Sequence, residues 1–72
     1  MNTCTECERL HSEVQDVLAW IAQFTTAQLS AFRSDDNAAF MRLDKELEIA
    51  MGAKERAIGA LRQHQRDHRK SA

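Results

Sequence analysis

Seventy-two residues with no proline, no tyrosine and only two glycines leave room for one domain and few chain reversals, which excludes a turn-rich β fold. A formal net charge of −1 excludes a global field that would attract nucleic acid or a membrane surface. Eleven of the apolar residues are alanine, so the core is thin, and a chain this small then leans on a metal, a disulfide or a partner chain.

In chain order, the N-terminus is polar and acidic, where a secretory signal would be basic and then apolar. The expected location is cytoplasmic, where Cys4 and Cys7 stay reduced unless they hold a metal. From Cys7 the apolar positions follow a 3-4 rhythm through Leu10, Val14, Val17, Ile21 and Phe24 to Ala31, with Gln28 as the one polar break. That rhythm is the seam of an amphipathic helix, predicted over about residues 5–33. Leu18, Thr25, Leu29 and Phe32 widen the stripe, and Trp20 flanks it. The run from Val17 to Phe32 is uncharged, but it is short and contains Gln23, Thr25, Thr26, Gln28 and Ser30, so it does not read as a membrane span.

Ser34-Asp35-Asp36-Asn37 is the interior cluster of turn and N-cap residues, so the turn is expected at 34–37 and a second helix over about 36–68. Its seam runs through Phe40, Leu43, Leu47, Ala50, Lys54, Ala57 and Leu61, and Met51 and Ile58 widen it. Lys54 is its polar residue, read as a snorkelling side chain or as one that fixes register or oligomeric state. With so short a connection the two helices must be antiparallel neighbours. In an antiparallel hairpin, facing residue numbers have a constant sum. Ala31 with Phe40, Phe24 with Leu47, Val14 with Ala57 and Leu10 with Leu61 all sum to 71, so two seams read separately agree on one pairing. The predicted fold is all-α: a single antiparallel two-helix hairpin over residues 1–72. The doubled stripe leads us to expect a homodimer forming a four-helix bundle.

Extending both seams outward brings four chemically distinct side chains to the open end of the hairpin. Cys4 and Cys7 continue the first seam, and His64 and His68 continue the second. Spacings of three and four place each pair on one helix face, one turn apart. Two thiolates with two imidazoles are a tetrahedral zinc set, and their softness favours zinc over magnesium or calcium. The candidate metal ligands are therefore Cys4, Cys7, His64 and His68, holding a structural zinc ion, with His11 as a possible substitute ligand. The competing readings are reduced cysteines beside solvated histidines, or a Cys4–Cys7 redox pair. The redox pair lacks the βαβ context of redox motifs and sits beside Glu6 and Glu8, which oppose a low thiol pKa.

Two weaker patterns complete the inventory. Glu8-x-x-His11 matches the helical motif of di-iron carboxylate bundles, but the register sets Gln63 opposite Glu8 rather than a second carboxylate. Arg62, Arg66, Arg69 and Lys70 form a basic tail, read as charge complementing a helix C-terminus more readily than as a nucleic-acid contact.

The pattern Cys4-x-x-Cys7, the Ser-Asp-Asp turn, Phe40 and the terminal His64-x3-His68 resembles short bacterial helical-hairpin proteins without assigned function. The architecture is also similar to the Rop family of RNA-binding plasmid-copy-control hairpins, which dimerise. Rop lacks this Cys/His set, so the resemblance implies an architecture and no mechanism. No nucleophile–base–oxyanion set or phosphate-binding loop is visible. We therefore expect a non-enzymatic structural or protein-interaction module. The alternatives are a thiol- or metal-redox protein using Cys4 and Cys7, and a Rop-like RNA-binding hairpin.

Overall fold

A computed structural model describes residues 4–71, with side chains as far as His68. Two helices account for almost all of it: α1 over Thr5–Arg33 and α2 over Asn37–Ser71. They pack along each other as an antiparallel hairpin of Cα extents 55 × 20 × 12 Å. No strand occurs among the described residues, and no helix there is long and apolar enough to cross a membrane.

The chain reverses in three residues, each with a definite task. Ser34 ends α1. Asp35 then adopts φ 58°, the left-handed region usually left to glycine. This lets the Asp36 N–H reach the Ala31 carbonyl at 2.9 Å and the Asp35 N–H reach Phe32 at 3.2 Å, the paired bonds of a Schellman ending. Asp36 immediately caps the next helix: its Oδ1 accepts the Ala39 N–H at 3.1 Å, and its carbonyl accepts the Phe40 N–H at 3.0 Å. The second helix therefore starts at Asn37, not Asp36, because the residue at 36 serves as the cap. It also runs on to Ser71, past the expected 68, since neither glycine nor proline stands there to stop it.

Packing follows the seam. In α1 the residues withdrawn from solvent are Cys7, Leu10, Val14, Val17, Ile21, Phe24, Gln28 and Ala31, the predicted row, together with Cys4. The most buried side chains are Leu10, Val17, Ala31 and Ala50, spread over the whole length with none below 3% exposure. The core is thus a single file of contacts, with no thick centre. Cross-helix contacts report the register directly: Phe32 meets Phe40 with ring centroids 6.0 Å apart, and Gln28 Nε2 donates to Asp44 Oδ1 at 3.2 Å. Both pairs sum to 72, one step from the sequence value. Gln28 also reaches the Phe40 carbonyl at 3.4 Å, so the polar break in the seam is a bridge between helices. Lys54 snorkels, its side chain one-quarter exposed and its Nζ 3.9 Å from the Glu55 carboxylate.

Candidate metal centre

The open end of the hairpin is built from the first turn of α1 and the last described turns of α2. Cys4 is the N-cap of α1, with extended backbone at φ −85°, ψ 116°. Its sulfur takes the place of the usual cap oxygen, accepting the Cys7 N–H at 3.3 Å. This fixes Cys4 and Cys7 on one side of the helix start, where the N-terminal dipole favours negative charge. Across from them, His64 and His68 lie one turn apart on α2, their rings edge to face with centroids 4.5 Å apart.

The four side chains aim at one point. Cys4 Sγ lies 3.2 Å from His64 Nε2 and 3.2 Å from His68 Nε2. Cys7 Sγ is 3.6 Å from His68 Nε2, and the two Nε2 atoms are 3.0 Å apart. All four ligand atoms fall within 4.8 Å of one another. A tetrahedron with bonds of about 2.3 Å to sulfur and about 2.05 Å to nitrogen has sulfur–nitrogen edges of about 3.6 Å and a nitrogen–nitrogen edge of about 3.3 Å. Four of the six edges match that polyhedron to within a few tenths of an ångström. Cys4, Cys7, His64 and His68 lie close together and could hold a metal ion. Three of them are half-buried and His68 is exposed.

Electrostatics separates the two thiols. The His64 side chain, then the Cys7 backbone N–H, bonds to Cys4 and lowers its pKa to about 6. The Cys7 thiol is pushed up, first by its hydrogen bond to Cys4 and then by desolvation. The two thiols thus differ in acidity, Cys4 being the more acidic. Around the site, Arg9 bonds Glu6 and also reaches Glu13 Oε1 at 2.6 Å. Glu6 is held below the usual carboxylate range mainly by that Arg9 bond.

Other sequence candidates fall elsewhere. His11 is exposed and shares a shallow hollow on α1 with Cys7, Glu8, Ser12 and Gln15, but it is not among the four side chains that converge. Glu8 is likewise exposed, and among the described residues Cys4, Cys7, His64 and His68 form the one metal-competent cluster, so no carboxylate faces the Glu8-x-x-His11 pair. Of the basic tail, Arg62 and Arg66 are exposed, and Arg66 donates to Gln63 at 3.1 Å. The side chains of Arg69 and Lys70 lie outside the described residues. Sequence reasoning missed the double duty of Cys4 as helix cap and sulfur donor, although a helix predicted to start at residue 5 already placed residue 4 at the cap. No protein family, curated protein or solved structure matches the chain.

Proposed function

We propose that this chain is a non-enzymatic structural or protein-interaction module whose open end is clamped by one zinc ion bound to Cys4, Cys7, His64 and His68. The observation that carries the reading is the convergence of four donor atoms, all within 4.8 Å of one another, from opposite ends of the sequence. Four protein donors complete zinc's preferred coordination and leave no position for a substrate, as in structural rather than catalytic sites. The Cys7 N–H bond to the Cys4 sulfur is the outer contact such a thiolate needs to spread its charge. Reduced thiols suit a reducing compartment such as the cytoplasm.

Full-length protein purified under reducing conditions without chelators is expected to carry one zinc per chain by elemental analysis. Replacement by cobalt(II) is expected to give the intense visible absorption of a tetrahedral thiolate–imidazole site, weakened in Cys7→Ser and His64→Ala. Protein that remains metal-free after exposure to zinc overturns the reading.

One observation favours a second reading. A thiol held to about 6 at a helix N-cap, one turn from a second thiol, is the arrangement of a reactive redox pair. On that reading the metal-free chain forms a Cys4–Cys7 disulfide with a mild oxidant, and zinc content is negligible in freshly isolated protein.

A further inference from the structure

The apolar residues beside the seam divide onto two opposite faces. Leu18, Leu29 and Phe32 each follow a seam residue of α1 by one position, and Met51 and Ile58 do the same on α2. An antiparallel pair is related by a two-fold axis normal to the plane of its helices, so equal offsets fall on the same side of that plane. Trp20, Glu46, Ile49 and Ala53 precede seam residues by one, and they line a common groove on the other side. The hairpin is one helix thick, 12 Å between Cα extremes, and both faces stand open.

Such a single layer is unfinished as a domain, since stable folds bury their apolar faces between two layers. The area says by how much. The chain exposes 5678 Å². A folded monomer of 8.2 kDa is expected to expose about 4,500 Å². The excess, roughly 1,100 Å², is comparable to the ~800 Å² that each partner buries in a standard stable interface. Leu18, Leu29, Phe32 and Met51 are between 44% and 68% exposed and supply apolar surface for it.

We propose that a second copy of this chain covers the face carrying Leu18, Leu29, Phe32, Met51 and Ile58, forming a four-helix bundle. The choice of face follows from the apolar side chains: Leu18, Leu29, Phe32, Met41 and Met51 stand exposed on this side, against Trp20 and Ile49 on the other. α1 has no charged side chain between Asp16 and Arg33. On α2, Asp44, Glu48 and Glu55 also follow seam residues by one and lie on this side, so apolar burial and not charge places the copy. The proposal does not rest on the metal.

The test is sedimentation equilibrium of the full-length reduced chain, with circular dichroism on each variant. The wild type is expected at twice 8.2 kDa at micromolar concentration. Leu29→Glu and Met51→Glu are expected to shift the mass to that of a monomer, while Ile49→Glu remains dimeric. A monomeric wild type overturns the proposal, as does dissociation by Ile49→Glu with Leu29→Glu left dimeric. Trp20 gives a second readout that needs no variant at the interface. It lies on the opposite face and is 52% exposed, so its emission is expected to stay unchanged when the wild-type dimer is diluted to monomer. A red shift on dissociation means that Trp20 was buried in the dimer and overturns the assignment of the face.

Discussion

Cys4 and Cys7 are the same residue one turn apart, yet the fold gives their protons different affinities. Cys4 is largely thiolate at neutral pH because His64 and the Cys7 N–H stabilise its charge, whereas Cys7 is raised above its ordinary value of 9.0 by its hydrogen bond to Cys4. In metal-free protein, a thiol-alkylating reagent at neutral pH is therefore expected to label Cys4 well before Cys7, as peptide mapping would show. Cys4 labelling should fall as pH drops through about 6. Equal labelling of both cysteines would contradict the assignment. At the proposed zinc site the same asymmetry would set the pH dependence of metal binding. Above about 6 the incoming ion must displace one thiol proton, that of Cys7; below it, the proton of Cys4 as well. From the thiols alone, affinity falls about tenfold per pH unit in the upper range and about a hundredfold per unit in the lower.

Helix ends and interiors hold separable energies. The Asp36 carboxylate caps α2 through the Ala39 N–H, so Asp36→Ala is expected to cost about 1 kcal/mol in chemical denaturation. Asp35 sits at φ 58°, which aspartate tolerates and a β-branched side chain does not; Asp35→Val is expected to be less stable than Asp35→Gly by about 1–2 kcal/mol. Within α2, an added Cβ at Gly59 meets nothing within 4 Å, so Gly59→Ala is expected to stabilise by about 0.5–1 kcal/mol. A lower melting temperature for Gly59→Ala would show that this helix face is occupied. Much of this architecture was legible in the sequence, because helix periodicity and hairpin register are one-dimensional properties. The row from Cys7 to Ala31 is the withdrawn row of α1, and extending both seams located all four converging side chains. The left-handed Asp35 was not legible, since no glycine marks it; the cluster announced a turn but not which residue reverses the chain. Nor was the groove face holding Ile49, 67% exposed, because one-sided widening of the stripe drew attention to the other flank.

At the scale of the whole molecule, the two ends of the hairpin are secured by different means. The turn end is closed covalently and reinforced by the Schellman bonds, the Asp36 cap and the Gln28 bridge, none of which involves a sulfur or imidazole. The open end has Leu10 as its one buried apolar side chain among the described residues, and the four donor atoms lie beyond it. Without a metal, little opposes local fraying there, and local opening costs far less than global unfolding. Zinc bound only to the closed form would add about 2.7 kcal/mol at a free concentration a hundred times its dissociation constant. For a domain of this size that is a rise of roughly 10–20 °C in melting temperature. Chelation is therefore expected to undo the hairpin from one end. Hydrogen exchange followed by mass spectrometry should show amides of Thr5–Leu10 and Leu61–His68 losing protection, while those from Gln28 to Leu43 keep theirs. Protection lost uniformly along both helices would mean that the metal holds the entire fold. No change at either end would mean that the Cys/His cluster is not a clamp, and the asymmetry between the covalent end and the coordinated end would have to be abandoned.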